Sequence, residues 1–401
     1  MKGIYLILLM CACIHVNAGK LSRETRDALQ KYSIHFDSVV NNYYAGGFVG
    51  NGFMGAMVYK EKGNVLCWEL GRADVVDHRE EKNILFGHCR LPIGTLRLPM
   101  NGKSDMLINL EKAEVSGQFG QVMWNCYMPA CQNVLIVEWK GKGELPEMSF
   151  VPAISVSPRT AFKGEMYKAP EGYGPNPAAR VYQEGEYHIC KQPMLAGGEY
   201  TTVWKVIPEK GRKRVILSIE YSQSRTDTEK TAIRNIEEVC HKPETAVRKE
   251  HQEWWDRFYS RSYVSVGEDK FDSFYWTQMY KLGSATREDR MPIDLMGPWY
   301  HNRTPWPAIW WNLNIQLTYS PMFAINHIDL ALPLLNMLDN NVENLKKNAP
   351  AGFADCAVMG RTSTYDCVSN VGKEHGLLMW TMLYYWKYCQ YTNDTERLKT
   401  K

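Results

Sequence analysis

The sequence has little net charge and lacks the patterns expected of a nucleic-acid, metal or membrane protein. Its 47 basic and 44 acidic residues give a net charge of +3, and no basic run is interleaved with aromatics. A nucleic-acid partner is therefore not expected. No CxxC pair or cluster of His and Cys has metal-ligand spacing. After the N-terminal segment, no apolar stretch is long enough to cross a bilayer.

Cysteine is sparse and irregularly spaced. Nine of the 11 Cys follow residue 18, and an odd number at irregular intervals is no disulfide framework, although one or two disulfides remain compatible with it. A hydrophobic content of 45% and a charged content of 23% are typical of a folded protein. At 401 residues, the chain is long enough for two or more domains.

The N-terminal segment predicts export. Lys2 precedes a short apolar stretch, which ends at Val16-Asn17-Ala18 with the small residues of a cleavage site. This pattern is typical of a secretory signal peptide, here residues 1–18. We expect a periplasmic or extracellular protein, and a lipid anchor at Cys11 or Cys13 is the weaker alternative.

The first half of the chain predicts strands. Apolar runs at 133–139, 201–206 and 215–221 are separated by clusters of Gly, Pro and Asn. Such spacing, without helical patterns in between, predicts a β-sandwich domain over residues 19–227.

Helical periodicity begins near residue 228. Apolar residues recur on one helix face in three segments, and a fourth segment, 377–388, is apolar nearly all round, which predicts a buried inner helix. We expect a helical linker at 228–262 and a second, helical domain at 263–401. The three stripes are Val247, His251, Trp254 and Phe258; Phe271, Phe274, Tyr275, Gln278 and Leu282; and Leu334, Leu335, Leu338, Val342 and Leu345.

The segment from Gly297 to Pro321 is dense in side chains that bind sugars. It holds four of the 13 Trp together with His, Arg, Asn and Gln residues. Aromatic faces pack on sugar rings, and polar tips hydrogen-bond their hydroxyls. The alternatives are that these Trp residues fill a core and that Asn312 caps a helix.

This segment resembles glycoside hydrolase family 95, which contains α-1,2-L-fucosidases and α-L-galactosidases. Asn312-Leu-Asn314-Ile-Gln316 followed by Tyr319-Ser-Pro321 is similar to its Asn-Ile-Asn…Tyr-Trp-Pro signature, with Thr318 and Ser320 as departures. The collinear matches elsewhere are Gly50-Asn-Gly-Phe-Met-Gly-Ala-Met57, Leu91 to Arg97, His251 to Ser262, Arg290 to Trp299, His375-Gly376 and Tyr391 to Asp394.

The resemblance implies a multidomain β + α fold: an N-terminal β-sandwich, a helical linker and a truncated (α/α)6 six-hairpin barrel. It further implies an inverting exo-glycosidase without a cofactor. Asn312 and Asn314 are the predicted catalytic pair that holds the attacking water, while the acid is expected beyond Lys401, so this chain alone is expected to be inactive. The predicted substrate-binding residues are Trp299, His301, Arg303, Trp306, Trp311 and Gln316.

Two alternatives to this reading remain. One is a different six-hairpin glycosidase or a phosphorylase. The other is a non-catalytic glycan-binding protein. In every case the expected partner is an oligosaccharide or polysaccharide, and the particular sugar rests on family analogy.

Overall fold

The computed structural model describes residues 21–79, 83–225, 227–353, 355–369 and 376–399. The predicted signal peptide, residues 1–18, and His375 of the family resemblance lie outside these ranges.

Most strands of the described chain belong to two antiparallel sheets. The strands are β1 Ile34–Phe36, β2 Gly47–Gly50, β3 Met54–Glu61, β4 Val65–Arg72, β5 Gly94–Pro99, β6 Ser104–Asn109, β7 Glu114–Phe119, β8 Val122–Tyr127, β9 Leu135–Lys140, β10 Ser149–Pro152, β11 Arg180–Glu184, β12 Tyr187–Pro193, β13 Glu199–Glu209, β14 Arg212–Ser222, β15 Ile309–Trp310 and β16 Thr362–Ser363. The large sheet has the order β1-β6-β7-β8-β9-β14-β13-β12-β11, and the small sheet has the order β10-β5-β4-β3-β2. The short strands β15 and β16 pair with each other. The three apolar runs predicted as strands are confirmed as parts of β9, β13 and β14.

The two sheets share one hydrophobic core. Trp68 of β4 and Trp124 of β8 meet edge to face inside it, with ring centroids 5.9 Å apart. Because side chains alternate along a strand, Val215 and Leu217 of β14 enter this core while Ile216 faces the opposite side. Helix packing on that opposite side covers the middle of the large sheet, whereas β11 at its edge is exposed.

The helices pack on the sheets more than on one another. They are α1 Arg23–Lys31, α2 Ile84–Gly87, α3 Thr228–Cys240, α4 Glu244–Tyr259, α5 Asp269–Ala285, α6 Asn314–Tyr319, α7 Pro321–Ala324, α8 Leu332–Asn340, α9 Val342–Lys347, α10 Leu377–Thr392 and α11 Thr395–Lys399. Ala232 and Ile236 of α3 cover Ile216 on the outer face of the large sheet. Tyr280 of α5 donates a hydrogen bond to the Phe48 carbonyl of β2 at 2.7 Å.

The predicted fold class is wrong. The described chain is mostly β, with a nine-stranded and a five-stranded sheet, and it does not match a helical (α/α)6 barrel. Between α5 and α10, the helices have four to nine residues and alternate with irregular loops. Helical periodicity predicts that a helix has an apolar face, but it does not predict what covers that face. Here the sheets cover a face of α3, which was predicted as part of the linker, and a face of α5, which was predicted as part of the barrel.

Two predicted helix faces are also corrected. Phe271 and Phe274 of the second stripe are 64% exposed, and the buried face of α5 carries Trp276, Met279 and Tyr280 instead. Helix α10 was predicted to be buried all round, but its Met379 is 72% exposed. The division of the chain into units at 227 and 262 stays a prediction.

Two further observations complete the description. All nine Cys from Cys67 to Cys389 are free thiols, so none of the disulfides left open by the sequence is present. In the described ranges, no helix combines the length and the apolar character that crossing a bilayer requires.

Candidate functional site

Two glycines of the small sheet allow the predicted sugar-binding loop to lie directly on its outer face. A Cβ on Gly55 would stand 2.9 Å from the Trp299 ring, and a Cβ on Gly71 would stand 2.8 Å from the Tyr300 nitrogen. Both distances are too short for a real contact, so these positions require glycine for close backbone approach. The strands β3 and β4 thus position the loop that begins at Pro298.

Two buried arginines hold this loop from the side of the sheets. Arg90 donates to the Asp294 carboxylate at 2.8 Å and to the Gly297 carbonyl at 2.9 Å, before the loop begins. Arg159 donates to the Pro305 carbonyl near its other end. Since charge-assisted hydrogen bonds are short and directional, the loop is fixed at both ends.

The loop and the 3-10 turn at Tyr43–Ala45 together form an open cleft with two hollows. The tyrosine hollow has a volume of about 780 Å³ and the tryptophan hollow about 570 Å³, and Tyr43, Tyr44, His301 and Arg303 line both. We call the two hollows together the aromatic cleft. Tyr59 and Glu69 line the tyrosine hollow; Trp299 and Trp306 line the tryptophan hollow.

His301 lies between two tyrosines at the junction of the hollows. Its ring centroid is 4.4 Å from that of Tyr43 and 4.7 Å from that of Tyr44, and its Nδ1 is 3.3 Å from the Tyr44 hydroxyl. Burial, followed by the charge of Arg303, lowers the pKa of His301 below its ordinary value. Since Nδ1 also accepts a hydrogen bond of 3.3 Å from the Arg303 backbone N–H, the neutral ring has its Nε2–H left to donate to a ligand.

Glu69 is the carboxyl group of the tyrosine hollow with a shifted pKa. It projects from β4 and accepts a hydrogen bond of 2.7 Å from the Tyr59 hydroxyl. Burial and the negative charge of Glu61 raise the pKa of Glu69 to about 7, against the opposing effect of the Tyr59 hydrogen bond. A half-buried carboxyl with a perturbed pKa in a cleft is a candidate functional group.

The predicted catalytic pair lines neither hollow of the aromatic cleft but follows, in the chain, a Trp that packs on one of the lining residues. Trp306, which is 45% exposed, packs on Trp310 with ring centroids 5.2 Å apart, and Trp310 lies two residues before Asn312. Asn312 is exposed and Asn314 is half-buried. Between them Leu313 has a φ of 77°, a left-handed conformation that is rare for a bulky residue. Strain of this kind is common at functional sites.

An apolar groove connects the aromatic cleft to α6. This groove, of about 610 Å³, shares Lys281 and Trp299 with the tryptophan hollow and includes Thr318 of α6. Thr318 donates from Oγ1 to the carbonyl of Asn314 at 2.9 Å. Residues four apart share a helix face, so Asn314 lies on the same side of α6 as the groove.

Other predicted site residues serve the core. Trp311 is fully buried and donates from Nε1 to Ser363 at 2.7 Å, and Gln316 is buried beside Thr381 of α10. Trp299 is 8% exposed and donates from Nε1 to the Val49 carbonyl. The structure therefore groups His301, Arg303 and Trp306 at an accessible cleft but separates Trp311 and Gln316 from it. The residue at the N-cap of α6 is Leu313, not Asn312.

Sequence reasoning missed the half of the cleft that the sheet side contributes. Tyr43, Tyr44, Tyr59 and Glu69 all precede the aromatic segment by more than 200 residues. The adjacent tyrosines after Asn41-Asn42 were a local signal of a polar, aromatic turn. Nothing in the local sequence indicates that this turn meets His301.

The comparisons do not identify a family. Neither protein-family models nor curated proteins give a match to this chain. Among the described residues, no group of three or more His, Cys, Asp or Glu side chains is arranged to hold a metal ion. The candidate function therefore rests on the geometry of the cleft and on the motif resemblance.

Proposed function

We propose that this protein is an exported glycosidase that removes terminal α-L-fucosyl or α-L-galactosyl residues from glycans. One observation carries the proposal: His301, Arg303 and Trp306 of one loop lie with Tyr43 and Tyr44 in an open cleft of aromatic rings and polar tips. A sugar ligand needs both aromatic rings and polar groups, since its C–H faces stack on rings while its hydroxyls hydrogen-bond to polar groups.

In this proposal the aromatic cleft binds the glycan and the asparagine pair holds the attacking water. The amide oxygens of Asn312 and Asn314 accept hydrogen bonds from the water and orient it. Inversion requires the acid that protonates the leaving oxygen to lie on the opposite face of the sugar.

Glycan binding by this chain is the first test. We expect Trp306→Ala to weaken binding of an α-1,2-fucosylated trisaccharide by about tenfold, the equivalent of about 1.4 kcal/mol. The matched control is Trp386→Ala on α10, which is similarly exposed, 47% against 45%, but does not line the cleft. Calorimetric titration measures both. Equal affinities for the two variants would contradict the assignment of the cleft.

Turnover by the full-length protein is the second test. Replacement of both Asn312 and Asn314 by Ala should abolish sugar release while circular dichroism stays unchanged. Proton NMR of the first product identifies its anomer, and a β-sugar released from an α-linkage is the result expected for inversion. Unchanged release by the double variant would contradict the role of the pair.

The same assays separate the alternatives. A phosphorylase would release sugar only with inorganic phosphate present. A non-catalytic glycan-binding protein is the other alternative, and the aromatic and polar side chains that line the cleft on the small sheet support it. Tight binding without release from either sugar by the full-length protein would support that alternative.

A further inference from the structure

The outer face of the small sheet carries a carboxyl group that differs from its neighbours. Glu61 of β3 forms an ion pair with Arg97 at 2.9 Å. Within the described residues, Glu69 accepts its hydrogen bond from the neutral Tyr59 hydroxyl. The negative charge of Glu61 lies nearby and disfavours the ionised form of Glu69. Its pKa is consequently raised to about 7 by burial first and by Glu61 second.

Several other titratable side chains around the tyrosine hollow have pKa values that are shifted away from neutrality. Burial raises the pKa of Tyr43 and of Tyr59 far above the neutral range, so both are uncharged. The pKa of Cys67, whose thiol bonds the Tyr59 carbonyl, is likewise raised by burial. The pKa of His301 is lowered, so this ring gains its proton only in acid. The fixed charges around the hollow are those of Lys60, Glu61, Lys62, Arg97 and Arg303.

A bound sugar would make the environment of Glu69 less favourable for the charged carboxylate. Glu69 is half-buried, and a ligand seated in the tyrosine hollow against Tyr44 and His301 displaces water from it. Removing water from a carboxylate is costly, whereas a protonated carboxyl loses little and gains an O–H donor. Ring and glycosidic oxygens of a sugar only accept hydrogen bonds, so they match the protonated form.

We propose that Glu69 is a ligand-binding residue of the aromatic cleft, which binds the glycan in its protonated form and donates a hydrogen bond to a sugar oxygen. This inference rests on the proposed function, because it requires a glycan in the cleft. It goes beyond that proposal by naming the proton donor and by making glycan affinity depend on pH.

Calorimetric titration of this chain with an α-1,2-fucosylated trisaccharide and an α-galactosylated disaccharide, at about pH 5.5 and 8.5, tests the inference. Affinity should fall roughly 10- to 30-fold at the higher pH, since the protonated fraction falls tenfold for each pH unit above the pKa. Glu69→Gln keeps a neutral donor, so its affinity should be the same at both pH values. The matched control Glu147→Gln, which is exposed and distant, should behave as the wild type.

Tyr59→Phe provides a second variant. It removes the hydrogen bond that lowers the pKa of Glu69, so the pH at which affinity begins to fall should move upward. This shift would support the inference even if Glu69→Gln folded poorly.

The outcomes separate this inference from the proposed function. Binding that weakens in Trp306→Ala but is independent of pH, or a Glu69→Gln variant with the pH dependence of the wild type, would overturn the role of Glu69 and leave the glycan cleft standing. If neither probe binds at either pH, the proposed function fails, and the role of Glu69 fails with it.

Discussion

The outer faces of the two sheets both contain a cleft with a buried or half-buried glutamate, but the two glutamates have opposite surroundings. On the large sheet, Glu138 of β9 lies in a charged cleft of about 1060 Å³, and its two oxygens are bound by Arg212 and Arg248. On the small sheet, Glu69 accepts from Tyr59 and has a raised pKa. Only the first carboxylate is neutralised by cations.

The difference shows why cleft size alone is a poor guide to a ligand site. The charged cleft is larger than either hollow of the aromatic cleft, yet its ion pairs connect α4 to the sheet through Glu244 and Arg248. Those groups already satisfy one another, so a ligand would have to replace hydrogen bonds that exist. The aromatic cleft has exposed rings and a carboxyl without a cation, which leaves interactions for a ligand to make.

The largest loss of stability is expected at the contact between the small sheet and the loop that begins at Pro298. Gly71→Ala places a Cβ against the backbone of Pro298 and Trp299, which has no flexible side chain to move aside. We expect a loss of about 3 kcal/mol in the free energy of unfolding, together with loss of glycan binding. Urea denaturation measures the free energy of unfolding. Gly174→Ala, where a Cβ meets nothing within 4 Å, is the control, and equal stability of the two variants would contradict the close approach.

The next largest loss of stability is expected from breaking the ion pairs of the large sheet. Glu138→Gln leaves Arg212 and Arg248 with one partner fewer, and we expect a loss of about 2 kcal/mol. The loss stays moderate because both arginines keep contacts with Glu244. Glycan affinity should not change. The exposed pair of Glu147 and Lys213 supplies the control Glu147→Gln, which should match the wild type in stability.

Unlike the two preceding substitutions, Glu69→Gln should increase the free energy of unfolding above neutral pH. The folded state holds the Glu69 proton up to about pH 7, whereas an unfolded glutamate releases it near pH 4.3. Wild-type stability therefore falls as pH rises through this window, because the native state binds more protons than the unfolded state. At pH 8 the Gln variant should be more stable than the wild type by on the order of 1 kcal/mol. Thermal unfolding at pH 5 and pH 8 checks this, and a wild-type advantage at pH 8 would refute it.

The smallest effect is expected from Met123→Ala in the charged cleft. Met123 is 51% exposed on β8, so the stability change should stay within about 0.5 kcal/mol. Calorimetric titration should give wild-type glycan affinity. A marked loss of affinity would move the ligand site to the large sheet and reverse the comparison.

Several elements were predictable because their signals are local. The apolar run around Ile216 predicts a strand by composition, and the spacing of Val247, His251 and Phe258 predicts the buried side of α4. The predicted loop residues His301 and Trp306 do lie together, since they are five residues apart in one segment without helix. The barrel prediction failed because α5 packs on a strand and the helices that follow it up to α10 are short, and that packing depends on residues far away in sequence.

By itself the sequence determined that its three apolar runs are strands, that helices follow from about residue 228, and that residues 299–306 combine aromatic and polar side chains. It determined this because side-chain period, proline and glycine act over a few residues. The tertiary structure alone decided that Tyr43, Tyr59 and Glu69 face His301 and that Trp311 and Gln316 are buried. The physical reason is that burial and the nearby negative charge of Glu61 raise the pKa of Glu69. These surroundings form only when β3, β4 and a loop more than 200 residues later in the chain come together.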